Sequence, residues 1–360
     1  MANVTVNSGN VVTKYDAKLF REYVRGNGFS AFMSTAITSP IVMKEDRDGK
    51  IISIPFVKKL TGNGVSGSST LRGNGENIGN YADTLTPTYY RHAVEFDKEE
   101  LDKPAFDMRM EAKPLLMDWG MELIRDQIIQ ALCAVYDGTT YYNWADADAT
   151  ARNAWAVANS DRILYGAAQS NDSGVVATDL AKVDTSNDKL TRDVIGIAKR
   201  IAQNSSQKIR PWKTKDTVYD QYVMFVGSRA YRDLYNDTTV VGNLQSARER
   251  AQTNPLFQPG DLQFDNVLVR EIPEITTLLT TSADFVSAGA TSSVEPCFLV
   301  GAGAIGYALK SRPKTIEDNT YDFNFQPGVA VEMKHHIKKL FWDGKQNGVV
   351  TVFVSGAPDA

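Results

Sequence analysis

Between residues 104 and 137 large apolar side chains return every three or four positions: Met117, Met121, Ile124, Ile128 and Leu132 fall on one stripe. That is the spacing of a helix with one buried face, and it predicts one long helix. Pro114 either occupies the first turn or kinks it there, because proline lacks an amide donor and clashes one turn back. Met108 and Met110 then form a lead-in turn. A second helix is predicted over 191–204, where Val194, Ile197, Ala198 and Ile201 share a face and Thr191 with Asp193 suits an N-terminus. The apolar run at 222–226 predicts a central strand, after which Ser228 caps a helix over 229–235. Further strands are predicted at 267–271, 297–300, 329–333, 336–341 and 349–354.

The first hundred residues follow a different pattern. Residues 1–14 are polar and β-branched, and an amphipathic helix at 17–24 gathers Leu19, Phe20 and Tyr23, so this part reads as an arm that needs a partner surface. From 41 to 98 the chain is strand-like. Ile51, Ile52, Ile54, Phe56 and Val57 lie on the way out, and Tyr89, Ala93, Val94 and Phe96 on the way back. Between them runs an excursion with Gly62, Gly64, Gly67, Gly73, Gly75 and Gly79 and almost no large apolar residues, too few to build a core of its own. Residues 138–190, rich in Asp, Asn, Ser and Ala, read as surface loops with one ordered piece at 162–165.

Composition removes several function classes. The 360 residues carry 39 basic and 43 acidic side chains, a net charge of −4, which gives no general field to draw the chain onto nucleic acid or an acidic membrane. No run approaches the ~18 apolar residues of a membrane span. The first residues lack an apolar signal-peptide core. Cys133 and Cys297 each sit in an apolar run, as buried thiols do.

One enzymatic pattern stands out: Phe298-Leu299-Val300 precedes Gly301-Ala302-Gly303-Ala304-Ile305-Gly306, the glycine fingerprint of dinucleotide-binding folds. Its physics requires a helix whose N-terminus receives a pyrophosphate, yet the candidate at 307–312 is stopped by Pro313. The acidic residue expected about 20 positions on falls in the polar run 317–322 with no apolar strand before it. These glycines read as tight packing or turning. A second match, Gly62 to Gly67, runs into Ser, Thr, Gly and Asn instead of a helix. His335 and His336 are adjacent in a predicted strand and point to opposite faces, so they do not share a metal. Glu95, Asp97, Glu99, Glu100 and Asp102 form an acidic turn before the long helix. Lys14, Lys18, Arg21, Arg25, Lys58, Lys59 and Arg72 are interspersed with acids and read as intersubunit salt bridges or solvated faces ahead of contact with DNA. No catalytic residue, cofactor or metal is expected.

An arm, a coreless excursion, a long helix, an α/β alternation and a closing strand make a chain that only contacts between subunits could fully order. In that order the elements resemble the Hong Kong 97 fold of tailed-phage capsid proteins, an α+β fold. Several stretches look like its coliphage N-four-type branch: Ile54-Pro55-Phe56-Val57-Lys58-Lys59-Leu60-Thr61-Gly62-Asn63-Gly64-Val65, Arg91-His92-Ala93-Val94, Arg162-Ile163-Leu164-Tyr165-Gly166, Asn187-Asp188-Lys189-Leu190-Thr191, Asn254-Pro255-Leu256-Phe257 and the ending from Phe323 to Val354.

The resemblance implies an N-terminal arm at 1–40, an E-loop hairpin with flanking P-domain strands at 41–100, a spine helix with surface loops at 101–190, an A-domain at 191–330 and closing strands at 331–360. Lys58, Lys59, Gly62, Gly64, Gly67, Arg72 and Glu76 would be the E-loop's assembly residues. The function implied is a major capsid protein of an icosahedral shell around double-stranded DNA. It is made in the bacterial host cytoplasm and ends in the virion capsid. Its partners would be itself, in hexamers and pentamers, a separate scaffolding protein, a portal, a decoration protein and the packaged DNA without sequence preference, with no membrane. An encapsulin-like cage is the alternative within the same fold, and a nucleotide-binding oxidoreductase the alternative outside it.

Overall fold

The structure, a computed structural model, describes residues 24–45, 51–68, 70–101, 107–213, 220–237, 240, 261–320 and 325–359. Residues 1–23 of the expected arm, with most of the helix expected at 17–24, and residues 254–257 lie outside them. The chain divides into two units, one with Tyr89–Leu123 and Ser311–Lys334, the other with Gly28–Thr88, Ile124–Lys310 and His335–Ala360.

The second, larger unit is built on a six-stranded sheet. Its order is β10 (Asp261–Phe264), β11 (Val267–Glu271), β9 (Tyr222–Val226), β12 (Val294–Val300), β17 (Val349–Ser355) and β8 (Ile163–Tyr165). Leu299 faces Met224 and Cys297 faces Val352 in antiparallel register, whereas β11 with β9 and β17 with β8 run parallel. The apolar runs of β9, β12 and β17 are continuous because both faces are covered. Val223, Phe225, Phe298, Val300 and Phe353 enter one core, while Met224, Val226, Cys297, Leu299 and Val352 enter the other. Both cysteines are buried free thiols.

Two helices line the second of those cores. In α5 (Arg192–Asn204) the Thr191 hydroxyl accepts the Val194 amide at 3.4 Å; Val194, Ala198 and Ile201 are buried as the periodicity implies, whereas Ile197 is only partly buried and Ile195 is buried in addition. In α6 (Ser228–Tyr235) the expected cap is displaced. Ser228 is the first helical residue and Gly227 precedes it without a side-chain cap. The orphan donors at this end find distant partners: the Ala230 amide donates to Glu295 Oε1 at 3.1 Å, and the Ser228 amide to Thr276 Oγ1 at 2.8 Å. Thr276 belongs to a π turn, Thr276–Thr280, that follows a short helical turn at Pro273–Ile275.

The long helix α2 spans Met108–Cys133 with Pro114 inside it. Met108 and Met110 are therefore helical and not a lead-in turn, because Asp107 Oδ1 accepts the amides of Arg109 (2.9 Å) and Met110 (3.3 Å) and starts the helix earlier. Residues 138–190 are also more ordered than the loop reading allows. They contain α3 (Ala149–Ala158), capped by Asp148 on the Ala151 amide at 2.7 Å, and α4 (Val176–Leu180). Trp144 and Trp155 from this stretch are buried with Phe285 and Phe353. A small antiparallel pair, β6 (Val135–Tyr136) with β7 (Tyr141–Tyr142), precedes them.

A five-stranded sheet has the order β1 (Met33–Ser34), β2 (Ile41–Glu45), β13 (Ile305–Asp318), β14 (Gly328–Lys339) and β5 (Thr88–Glu95). Here β13 replaces the candidate helix at 307–312, and β14 is one strand where two were expected, running through His335 and His336. The strand pairing with β3 (Ile52–Val57) is β4 (Asn80–Leu85), not the 89–96 segment, which supplies β5 instead. The acidic stretch after β5 contains the short helix α1 (Lys98–Leu101). The smaller unit has its own core of Leu116, Val329 and Val331 with Val94, Phe96 and Trp119 against it. Two ion pairs, Lys113 with Glu317 and Lys314 with Glu332, join its surface. Last comes a two-stranded hairpin, β15 (Phe341–Trp342) with β16 (Lys345–Gln346).

Candidate assembly site

The excursion grows from a firm base. In the β3–β4 ladder Ile54 faces Asp83 and Phe56 faces Tyr81, with Val57 and Asn80 on the last rung. Ile52, Ile54 and Leu85 pack with Ala308 and Leu340. A Cβ at Gly306 would come within 2.9 Å of Leu340 and 3.1 Å of Ile54. The last glycine of the 301–306 run therefore gives the hairpin base room to seat.

Beyond Val57 no strand continues until Asn80 among the described residues, and the ends of the segment are drawn together by one side chain. The Glu76 carboxylate accepts the Thr61 amide at 2.8 Å, the Thr61 hydroxyl at 2.9 Å and the Gly62 amide at 2.7 Å. These bonds hold its pKa below the ordinary glutamate value, the backbone bond from Thr61 first. Gly62 fits this clasp because a Cβ there would come within 2.9 Å of Glu76 Oε2. At the tip, Gly64, Gly67 and Gly73 take positive φ angles of 70°, 68° and 90°, which glycine adopts without steric cost. The segment's described residues are exposed apart from Val65 and Gly79, which are half-buried, and Leu60 and Leu71 keep 61% and 70% of their surface in solvent.

Of the residues singled out by sequence, the structure brings Gly62 and Glu76 into direct contact. Lys58 turns instead to Asp343, whose Oδ2 accepts its ammonium at 3.1 Å. Lys59 and Arg72 are exposed and have no ion pair among the described residues. Gly64 and Gly67 serve backbone curvature alone. Sequence reasoning missed Trp342 and Asp343. The signal was present: Trp342-Asp343-Gly344-Lys345 places an Asp-Gly pair between strand residues, a hairpin turn sequence.

The enzymatic patterns dissolve into packing. A Cβ at Gly301 would lie 2.3 Å from the Arg210 carbonyl oxygen, Gly303 has φ of 68°, and no helix follows them. His335 is buried with Nε2 2.7 Å from Gln127 Oε1, its pKa lowered to about 4 by burial, while His336 faces the other way along the strand. No group of metal-ligating side chains occurs among the described residues.

What remains is an exposed, backbone-shaped projection on a rigid base. The sequence matches the phage capsid protein family over residues 3–352. The chain belongs to that family. The fold agrees throughout its length: the capsid asymmetric unit of cyanophage Pam1 superposes with a TM-score of 0.91 at 32% identity, covering 100% of both chains. The capsid of Ralstonia phage GP4 follows with a TM-score of 0.74 at 20% identity, also over 100% of both, and the head of Helicobacter pylori bacteriophage KHP40 with 0.70 at 16% over 99%. In sequence the chain is also 26% identical over 147 residues to the major capsid protein of Pseudomonas phage KPP25, a match spanning 38% of each.

The fold is thus of the Hong Kong 97 type, and the chain is a major capsid protein, a subunit of the icosahedral shell that encloses phage double-stranded DNA. Such a subunit works through the surfaces it offers to its own copies.

Proposed function

We propose that residues 61–80 are the E-loop of this capsid protein and lie across a neighbouring copy in each hexamer or pentamer. The observation that carries this reading is the contrast between base and tip: a packed ladder ends at Val57 and Asn80, and a clasped, solvent-exposed segment with uncovered Leu60 and Leu71 continues from it. Exposed apolar side chains on a chain with no core of its own gain stability by burial against another surface. In this reading Gly62 and Glu76 hold the neck, Gly64 and Gly67 curve the tip, and Lys59 and Arg72 supply charge to the neighbour, with Lys58 at the root.

The wider assignments extend the same reading. Residues 1–40 act as the arm, 41–100 as the E-loop hairpin with flanking P-domain strands, 101–190 as the P-domain with α2 as its spine, 191–330 as the A-domain and 331–360 as strands returning toward the P-domain. The stretches from Ile54 to Val65 and from Asn187 to Thr191 support membership of the N-four-like branch. A separate scaffolding protein, a portal and a decoration protein are the remaining partners.

Deleting residues 62–79 tests the central assignment. The expected product is a folded, soluble subunit that fails to close shells when imaged by electron microscopy. Normal particles from the deletion variant would overturn it.

A further inference from the structure

The loop's root is held by an element remote in sequence. Asp343 sits at the tip of the β15–β16 hairpin with φ of 53°, followed by Gly344 at 77°, the paired left-handed conformation of a tight hairpin turn. Its two carboxylate oxygens divide between the two strands that emit the excursion. Oδ2 accepts Lys58, the first residue after β3, at 3.1 Å, and Oδ1 accepts the Tyr81 hydroxyl, from β4, at 3.0 Å. Next to it Trp342 stacks on Phe56 with ring centres 4.9 Å apart and meets Tyr81 edge-on at 6.4 Å. Phe56 and Tyr81 are themselves opposite one another in the ladder, so one tryptophan covers one rung and one carboxylate bonds both sides of the exit.

A second carboxylate works in the reverse direction. Asp83 of β4 accepts Lys338 at 2.6 Å and the Phe341 amide at 3.1 Å, fixing the foot of the same hairpin. A two-stranded ladder alone twists and splays freely. Here it is bound on one side at two levels, Asp83 below and Asp343 at the exit.

We propose that the Trp342–Asp343 turn is the positioning element of the E-loop: it sets the direction in which residues 58–79 leave the subunit, and so the geometry with which one copy reaches the next. The inference rests on the E-loop reading above. Asp343 does not touch the neighbouring copy in this account; it acts through Lys58 and Tyr81. Its effect therefore falls on assembly and on the local order of the exit, with the rest of the fold unchanged.

The test uses the full chain with Asp343→Gly, which keeps the left-handed turn and removes both bonds, and Asp343→Asn, which keeps the shape and removes the charge. In the free subunit, the Lys58 amide, bonded to the Gly79 carbonyl at 2.9 Å, and the amides of the last β3–β4 rungs should exchange about tenfold faster in Asp343→Gly, with α5 and β12 unchanged. Shell yield should fall in the same variant, and Asp343→Asn should lie between it and the parent. The Lys58→Asp/Asp343→Lys exchange should restore part of the yield, which a merely structural role would not predict. Unchanged exchange at the exit together with normal shells from Asp343→Gly would overturn the positioning role. If the 62–79 deletion fails to close shells while Asp343→Gly assembles normally, the E-loop reading stands and the positioning proposal falls. If the deletion itself assembles, the E-loop reading falls first.

Discussion

Thr61 donates to the Glu76 carboxylate through both its amide and its hydroxyl, across fifteen positions of glycine-rich chain. Glu76 has a lowered pKa because the folded state favours its charge, so the clasp contributes above the unfolded carboxylate range and is lost as pH falls through the lowered value. Exchange at the Thr61 and Gly62 amides, corrected for the intrinsic rate, should accelerate as pH falls through that lowered value. Glu76→Gln should show the loosened neck at every pH. Protection independent of both would remove the clasp from the account.

Glu295 is buried behind α6 and its pKa is raised to about 7, by desolvation first, against the opposing bonds from Ala230, Thr276 and Thr280. The unfolded chain ionises this group from the ordinary glutamate value of 4.5 while the folded chain holds the proton. Stability is therefore full below that value and falls as pH rises toward 7, by roughly 3 kcal/mol in all. Glu295→Gln retains an acceptor for the Ala230 amide and should flatten the slope, as read by urea unfolding of the free subunit at pH 5 and pH 8.

Lys339 carries the opposite sign. It is fully buried, its ammonium faces the neutral Gln346 Oε1 at 3.1 Å, and burial lowers its pKa to about 7. Between 7 and the ordinary lysine value of 10.5 the unfolded state binds the additional proton, so stability rises with pH across that window by a few kcal/mol. Lys339→Met should abolish this rise and be more stable than the parent at pH 6, less the cost of an unpaired Gln346 oxygen of about 1 kcal/mol. A parent whose stability is flat from pH 7 to 10 would contradict the assignment.

The glycine run at 301–306 makes a stability prediction in place of a cofactor one. Gly301→Ala drives a methyl against the Arg210 carbonyl and should cost about 2–3 kcal/mol. Gly64→Ala meets no atom within 4 Å but has φ of 70°, so it should cost only about 1 kcal/mol of local strain. Urea midpoints of the two variants distinguish crowding from conformational strain.

The sequence carried the buried centre well and the polar seams badly. β9, β11 and α5 are legible because burial on one or both faces leaves an apolar period. β4 is not, because its inward residues are Asp83 and Leu85, and the aspartate's place is explained only by Lys338 and Phe341, which are far away in the chain. β13 hides for a related reason: past Leu309 none of its residues is buried, most are polar, and Pro313 interrupts them. Alanine-rich α3 resembled loop, although Asp148 ahead of the run was a capping signal. At the candidate site Gly62 stood out in the glycine-rich excursion and Glu76 came with the family resemblance, but the tie to Asp343 depends on a contact between Lys58 and a residue 285 positions later, beyond any local pattern.

The most direct test of the account is cryo-electron microscopy of shells assembled from the full chain. The account predicts that residues 61–80 of each copy lie on a neighbouring copy within the same hexamer or pentamer, with Leu60 and Leu71 covered. Closed shells in which that segment folds back on its own subunit, or projects into solvent with those side chains bare, would contradict it.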